Sequence, residues 1–201
     1  MDGLIYLVSA SPRRRELLKQ IGVHFETLLL RSDPARKIDV DETPLPGEPV
    51  TEYAARIARA KADAGWQRLQ DRKLPLRPVL AADTAVFLDG NIFGKPGNVE
   101  NAVDMLSRLS GKEHEVITAV TCRMGDRSAS KLSRSRVSFC EIGEKAIREY
   151  AQSGEPLDKA GGYAIQGRGA RFVTRIDGSY SGVMGLPLYE TGQILAEMGI
   201  A

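Results

Sequence analysis

The chain has 201 residues, with 28 Lys and Arg against 26 Asp and Glu, and its formal net charge is +2. That charge is too balanced to indicate binding to nucleic acid or to a membrane from bulk electrostatics. The sequence contains no apolar run of about 18 residues, the length that a transmembrane helix requires. Its first residues lack the basic segment of a signal peptide, so we expect a cytoplasmic protein.

Short apolar runs alternate with amphipathic stretches, which predicts an α/β fold. Strands are predicted at residues 4–8, 23–30, 79–82, 115–123, 133–140 and 172–176, with a hairpin at 85–93. Helices are predicted at residues 12–22, 49–70, 99–109, 144–153 and 188–198. Because the hairpins are short, we expect a partly antiparallel sheet. Irregular structure is predicted at residues 31–47, which are rich in Pro, Asp and Arg, and at the glycine-rich residues 158–169.

The start of the first helix carries an unusual concentration of positive charge. Ser11 is a typical N-cap, Pro12 fits the first helical position, and Arg13, Arg14 and Arg15 follow in the first turn. The N-terminus of a helix is partially positive, so these cations are unfavourable unless an anion binds there. Backbone N–H groups and guanidinium groups would then converge on one phosphate group. The alternative is a solvated basic helix start.

Two acidic residues are candidates for a metal site. Asp83 follows an apolar run and is predicted to end a strand, where an unpaired carboxylate is costly, so it either caps a turn or binds a cation. Glu42 lies in the acidic cluster 39–42, which taken alone is typical of a solvated surface. Together the two carboxylates could share a divalent ion, since Mg²⁺ binds carboxylate and phosphate oxygens.

Three further polar residues have both a functional and a structural interpretation. Lys61 borders the apolar helix face formed by Tyr53, Ile57, Ala60 and Ala64, and it either contacts phosphate or extends into solvent. Lys95 lies in a glycine-containing loop and is either a phosphate partner or a solvated turn residue. Gln166 is followed by a glycine; its amide either reads a base edge, for which it has a donor and an acceptor, or is an ordinary loop side chain.

Several common site patterns are missing from the sequence. The P-loop, G-x-G-x-x-G and G-x-S-x-G motifs do not occur, which disfavours P-loop, dinucleotide-binding and α/β-hydrolase functions. His24 and His114 are isolated from other metal-ligating residues, so structural roles are expected for both. Cys122 and Cys140 form no C-x-x-C pattern and are predicted to be reduced thiols.

The candidate segments occur in an order that resembles the Maf family of nucleoside triphosphate pyrophosphatases. The segments that carry the resemblance are residues 9–14 (Ser-Ala-Ser-Pro-Arg-Arg), 82–84 (Ala-Asp-Thr), 94–96 (Gly-Lys-Pro), 109–111 (Leu-Ser-Gly) with His114, 158–161 (Asp-Lys-Ala-Gly), 165–167 (Ile-Gln-Gly) and 178–188. The resemblance runs from about residue 4 to residue 198 and implies one Maf-like domain over residues 1–201. Residues 31–38 form a longer and more basic loop than is usual in the family.

The resemblance implies an enzyme that cleaves nucleoside triphosphates between the α- and β-phosphates, with Mg²⁺ or Mn²⁺ as cofactor. It implies a fold similar to that of the inosine triphosphatases, an elongated, twisted, mixed β-sheet flanked by helices with a cleft between two lobes, and a homodimer. The catalytic residues that it implies are Asp83, Glu42, Lys61 and Lys95, with Asp83 and Glu42 as metal ligands. The substrate-binding residues that it implies are Ser9, Arg13, Arg14, Thr84 and Gln166.

Residues 158–161 and 165–167 resemble the branch of the family that acts on dTTP and UTP, whereas the branch acting on 7-methyl-GTP usually carries Ser-Glu-Gly in place of Ile165-Gln166-Gly167. Modified pyrimidine nucleotides remain open as substrates. Two alternatives are a pyrophosphatase for 7-methyl-GTP or other non-standard nucleotides and a non-catalytic nucleotide-binding regulator of septum formation. Whether Asp83 acts as a general base or as a metal ligand also remains open.

Overall fold

A mixed sheet of seven strands and six α-helices make up the computed structural model, which describes residues 3–31 and 38–200. The strands are β1 (Ile5–Val8), β2 (Phe25–Thr27), β3 (Val79–Leu88), β4 (Asn91–Phe93), β5 (Glu113–Met124), β6 (Arg127–Phe139) and β7 (Val173–Asp177). The helices are α1 (Pro12–Gln20), α2 (Val50–Asp71), α3 (Val99–Leu109), α4 (Glu144–Gln152), α5 (Tyr180–Met184) and α6 (Leu188–Glu197). Two short 3₁₀ turns lie at Ala160–Gly162 and Arg168–Phe172.

The order of strands in the sheet is β2-β1-β3-β5-β6-β7, and β4 pairs with β3. Strand β1 is parallel to both β2 and β3, whose connections to it contain helices, as parallel pairing requires. The pairs β3–β4 and β6–β7 are antiparallel. The prediction of an α/β fold with a partly antiparallel sheet is therefore confirmed.

Most elements lie within a few residues of their predicted positions. Helix α3 has the predicted bounds, and the Asn98 side chain caps it by accepting a hydrogen bond from the Asn101 backbone N–H at 2.8 Å. Strand β2 is shorter than the predicted 23–30, and the five-residue α5 was not expected. Of the predicted irregular segment 31–47, residues 32–37 lie outside the described residues. Among the residues described, no helix has both the length and the apolar character needed to cross a membrane.

The prediction that Asp83 ends a strand is wrong. Strand β3 continues through Asp83 and ends at Leu88, which pairs with Asn91 across a two-residue hairpin turn. Both turn residues, Asp89 and Gly90, have positive φ angles, 49° and 78°, as such hairpins require. A carboxylate can lie inside a buried strand when a cation pairs with it, and Lys61 is that cation for Asp83.

The chain is divided into two compact units. The first contains Met1–Asp83, Thr118–Ser133 and Gly185–Ala201, and one of its buried clusters joins β1 to α2 through Tyr6, Val8, Ala62, Trp66 and Leu69. The second contains Thr84–Ile117 and Arg134–Met184. Its core includes perpendicular ring contacts among His114, Phe139 and Tyr163, with ring centroids 4.8–5.4 Å apart.

His114 has the environment of a structural histidine. Its Nε2 lies 2.9 Å from the hydroxyl of Tyr163, and the side chain is buried. Burial lowers the pKa of His114 to about 4, so the imidazole is neutral at neutral pH. These features favour the structural role expected from sequence over metal ligation.

The buried face of α2 differs from the predicted one. Ala60 and Ala64 are only half-buried, whereas the small residues Ala54, Ala58, Ala62 and Gly65 are fully buried. A Cβ atom added at Gly65 would lie 2.5 Å from Cγ2 of Val8 and 2.9 Å from Cγ1 of Val79. Small residues therefore bring this helix close to the strands, a feature that large-apolar periodicity does not reveal.

We expect Gly65→Ala to lower the free energy of unfolding by about 1–3 kcal/mol, because the added methyl group overpacks the contact of α2 with β1 and β3. Gly192→Ala in α6 is the matched control, since no atom lies within 4 Å of its added Cβ. That change should stabilise the protein by up to about 1 kcal/mol through helix propensity. Urea unfolding of both variants tests the expectation, and equal effects of the two substitutions would contradict it.

Candidate active site

Lys61 links the two candidate carboxylates of the first unit. Its Nζ lies 2.7 Å from Oδ1 of Asp83 and 3.0 Å from Oε1 of Glu42. The Lys61 and Asp83 side chains are 14% and 8% exposed, whereas Glu42 is 47% exposed. The interpretation of Lys61 as a lysine that extends into solvent is therefore wrong, because the ammonium group is held between two anions near the protein interior.

Helix α2 also positions the segment that carries Glu42. The Tyr53 hydroxyl donates a hydrogen bond to the Glu42 backbone carbonyl at 3.0 Å. Arg56 donates to the Thr43 carbonyl at 3.1 Å and forms an ion pair with Glu48 at 2.6 Å. The hydrogen bond with Arg56 lowers the pKa of Glu48 to about 2. The sequence predicted Tyr53 only as a residue of the apolar helix face. It did not reveal the hydrogen bond of the Tyr53 hydroxyl, because the acceptor lies outside the helix.

The acidic cluster 39–42 divides into three different roles. Asp39 accepts from Arg68 at 2.5 Å and from the Arg31 backbone N–H at 2.8 Å. Burial alone would raise the pKa of Asp39, but these hydrogen bonds and charges outweigh it and lower the pKa. Asp41 accepts from the Thr43 backbone N–H at 2.9 Å, and Glu42 is the member of this cluster that pairs with Lys61 in the described residues. Asp39 and Asp41 thus shape the segment that presents Glu42.

The start of α1 keeps donors available for an anion. Among the residues that the structure describes, no side-chain hydrogen bond caps this end of the helix, and its first turn contains no acidic residue. Ser9 accepts a hydrogen bond from the Ser11 backbone N–H at 3.0 Å and so orders the turn into the helix. Arg13 is half-buried and, within the described ranges, makes no side-chain hydrogen bond or ion pair. A helix N-terminus with such a guanidinium is suited to binding phosphate.

Arg14 and Arg15 are oriented by backbone carbonyls. Arg14 donates through Nε to the Gly185 carbonyl at 2.7 Å, and Arg15 donates to the Ala10 carbonyl at 3.2 Å. Burial lowers the pKa of Arg14, and the charges of Asp83 and Glu42 oppose that shift. Burial, with the same two carboxylates, raises the pKa of Tyr53 to about 12. Arg14 and Tyr53 therefore both lie in the electrostatic field of the carboxylate pair.

Lys95 belongs to the second unit and is exposed on a loop with a fixed backbone. The Gly94 carbonyl accepts from the Gly161 N–H at 3.1 Å, and the Gly97 N–H donates to the Leu157 carbonyl at 3.1 Å. In the part of the chain that the structure describes, the Lys95 side chain makes no hydrogen bond or ion pair. The loop thus presents an ammonium group that has no partner among the described residues.

Thr84 and Gln166 are also residues of the second unit. Thr84 is half-buried in β3, directly after Asp83. Gln166 is exposed in a tight turn that the Gly167 N–H closes by donating to the Ala164 carbonyl at 3.1 Å. Within residues 3–31 and 38–200, the Gln166 amide makes no hydrogen bond. Both its donor and its acceptor are therefore available for a ligand.

Comparison with known proteins decides the family. Residues 4–198 match the profile of the Maf family, described as Maf-like protein. The chain belongs to the Maf family. The family predicted from the ordered motifs is therefore confirmed, and the match covers all of the candidate site residues.

Three curated Maf relatives match over almost their whole length, and each is named dTTP/UTP pyrophosphatase. The protein of Nitrosomonas europaea is 55% identical over 197 residues, which cover 98% of this chain and 95% of the relative. The protein of Aromatoleum aromaticum is 53% identical over 200 residues, which cover 99% of this chain and 97% of the relative. The protein of Nitrosospira multiformis is 54% identical over 200 residues, which cover 100% of this chain and 97% of the relative. Among solved structures, the Staphylococcus aureus Ham1 protein aligns with a TM-score of 0.47 and 18% identity, over 95% of this chain and 90% of that one.

The carboxylate pair of this Maf protein is the set of described residues that could hold a divalent cation. Among the described residues, no three His, Cys, Asp or Glu side chains cluster as metal ligands. Asp83 and Glu42, however, both lie within hydrogen-bond distance of one ammonium group, so a positive charge already occupies the space between them. Mg²⁺ is commonly held by one or two carboxylates together with substrate phosphates, and these two residues fit that donor set.

We expect Lys61→Met to lower the free energy of unfolding by about 3 kcal/mol, because Asp83 then keeps a buried charge without its cation. We also expect saturating Mg²⁺ to raise the melting temperature of this variant more than that of the unmodified protein, since a metal ion can replace the lost ammonium. Lys145→Met, at a 91% exposed lysine, is the control and should change neither property. Equal Mg²⁺ shifts in all three proteins would contradict the assignment of the carboxylate pair.

Proposed function

We propose that this chain is a nucleoside triphosphate pyrophosphatase that hydrolyses dTTP and UTP to the monophosphate and pyrophosphate. The observation that carries the proposal is the pairing of Lys61 with Asp83 and Glu42. Full-length relatives of 53–55% identity that bear the name dTTP/UTP pyrophosphatase support the same substrates. A protein that only bound phosphate would gain nothing from two carboxylates at its binding site, because like charges repel.

The first unit supplies the groups that bind phosphate. Arg13 and the N–H groups at the start of α1 bind the anionic chain, and Arg14 is oriented for the same purpose by the Gly185 carbonyl. Ser9 orders the turn that precedes the helix. Lys61 neutralises negative charge that develops on the phosphates as the bond between the α- and β-phosphates breaks.

Asp83 and Glu42 supply the acidic groups of the reaction. A water oxygen attacks the α-phosphorus, the bond from that phosphorus to the bridging oxygen breaks, and pyrophosphate leaves with the bond electrons. Asp83 either accepts the proton of the water as a general base or holds the metal with Glu42. A divalent ion, Mg²⁺ or Mn²⁺, would neutralise phosphate charge and favour deprotonation of the water when bound.

We propose Gln166 for base recognition, and Lys95 and Thr84 for further contacts with the substrate. The Gln166 amide N–H donates to O4 of uracil or thymine, and its carbonyl accepts from N3–H. Lys95 binds phosphate through its exposed ammonium group, and Thr84 contributes a hydroxyl to substrate binding. Modified pyrimidines that keep the O4 and N3–H edge are substrates on the same grounds.

Two other assignments follow from the family resemblance. We propose that the chain forms one Maf-like domain over residues 1–201 and assembles as a homodimer, which light scattering in solution measures directly. We propose a cytoplasmic location, which the two free thiols of Cys122 and Cys140 support.

The proposed function is tested by measuring pyrophosphate release from dTTP, UTP, CTP, 7-methyl-GTP and ITP with Mg²⁺ or Mn²⁺. We expect dTTP and UTP to be hydrolysed fastest and EDTA to abolish turnover. Asp83→Asn preserves the side-chain shape and should reduce the rate by at least about 100-fold. Preference for 7-methyl-GTP would support the other branch of the family. Tight nucleotide binding without turnover would instead support a regulator of septum formation.

We expect Gln166→Glu to lower kcat/KM for dTTP and UTP by about 10- to 100-fold, since the carboxylate loses the donor and places a charge against O4 at a cost of about 1–3 kcal/mol. Metal dependence should not change, because Gln166 is not a proposed metal ligand. Gln193→Glu, at an exposed glutamine in α6, is the control. Equal losses on dTTP, UTP and 7-methyl-GTP would mean that Gln166 does not read the base.

A further inference from the structure

The carboxylate of Glu155 organises the turn that presents Gln166. It accepts hydrogen bonds from the Tyr150 hydroxyl at 2.8 Å, from the Arg168 N–H at 3.2 Å and from the Gly169 N–H at 3.3 Å. The two backbone donors follow Gln166 by two and three residues. One side chain thus fixes the path of the chain immediately after the exposed amide.

Tyr150 fixes the other end of the same turn. Its side chain is fully buried, and its hydroxyl accepts from the Ala164 N–H at 3.0 Å while donating to Glu155. Ala164 is the first residue of the four-residue turn that the Gly167 N–H closes. Tyr150 and Glu155 therefore hold the backbone on both sides of Gln166 and, among the described residues, make no hydrogen bond to its side chain.

Two glycines allow this close approach. A Cβ atom at Gly167 would lie 2.6 Å from Oε1 of Glu155, and one at Gly169 would lie 2.7 Å from the Tyr150 hydroxyl. Any side chain at either position would displace the groups that hold the turn. The Ile-Gln-Gly motif is thus shaped by contacts with residues outside it.

The network needs a carboxylate rather than an amide. Burial alone would raise the pKa of Glu155, but the hydrogen bonds from Tyr150, Arg168 and Gly169 outweigh it and lower the pKa, so the group is ionised at neutral pH. All three partners donate to it. A glutamine would place an NH₂ group, which is a donor only, against at least one of these donors.

We infer that Glu155, together with Tyr150, is a positioning residue for base recognition, which holds the Gln166 turn so that the amide meets the O4 and N3–H edge of a pyrimidine. This inference rests on the proposed function. Glu155 acts on the base and not on the phosphates, because its contacts converge on the backbone around Gln166. The sequence gives no signal for this role, since a glutamate in a Gly-Glu-Pro segment has the appearance of an ordinary loop residue.

The test compares Glu155→Gln with the unmodified protein in UTP hydrolysis, with inorganic tripolyphosphate as a competitive inhibitor that lacks a base. We expect the KM for UTP to rise about 10-fold or more while kcat changes by less than about 2-fold, because a misplaced base contact weakens binding. The inhibition constant of tripolyphosphate should not change. Tyr150→Phe should shift the KM in the same direction, and Glu149→Gln, at an exposed residue of α4, should shift nothing.

A double-mutant cycle with Gln166→Ala separates positioning from general structural damage. If Glu155 acts through Gln166, then Glu155→Gln adds little to the KM of the Gln166→Ala variant. Additive effects, or a parallel rise of the tripolyphosphate inhibition constant, would overturn the inference. If Glu155→Gln does not fold, the same cycle is carried out with Tyr150→Phe.

Failure of the proposed function and failure of this inference have different results. If the unmodified protein hydrolyses neither UTP nor dTTP, the proposed function is overturned. If the unmodified protein is active but the KM for UTP is unchanged in Glu155→Gln, only this inference is overturned.

Discussion

The pairing of one ammonium group with two carboxylates is the interaction on which the first unit depends. Lys61 neutralises Asp83 inside a strand whose other residues, apart from Thr84, are apolar, and it also contacts Glu42 at the surface. The buried carboxylate of Asp83 would be costly there without a cation, so folding itself brings this acid and Lys61 together, with the more exposed Glu42 as a second partner. The same charges that make the strand possible are those that a phosphate-cleaving site requires.

Backbone anchoring by side chains is common to both units. In the first unit, two side chains of α2 hold the segment that carries Glu42. Arg68 binds the Asp39 carboxylate, and the Tyr53 hydroxyl donates to the Glu42 carbonyl. In the second, Glu155 and Tyr150 hold main-chain N–H groups around a turn. Each arrangement fixes an exposed loop with buried or half-buried groups, so a loop residue is presented in one geometry. Functional side chains on loops need such support because loops lack the hydrogen bonds of helices and strands.

The sequence predicted those features whose determinants lie close together in the chain. Helix α3 was predicted to the residue, since its cap at Asn98 and its apolar spacing are local. The path of β3 through Asp83 was not predicted, because Lys61, the residue that stabilises it, lies 22 positions earlier on a helix. Glu155 was missed for a similar reason: two of the three donors to its carboxylate are backbone N–H groups, which side-chain patterns in the sequence do not reveal. The family resemblance predicted roles for several residues whose local context also supported an ordinary structural interpretation.

The missing side chain at Gly65 has a consequence for the Lys61–Asp83 ion pair. Gly65 lies one helical turn after Lys61, and its lack of a side chain allows α2 to approach Val8 of β1 and Val79 of β3. Strand β3 also carries Asp83, so the helix-to-strand spacing at this contact sets the reach of the Lys61 ammonium group. A substitution at a glycine in apolar surroundings would therefore change the distance between two charged groups elsewhere in the chain.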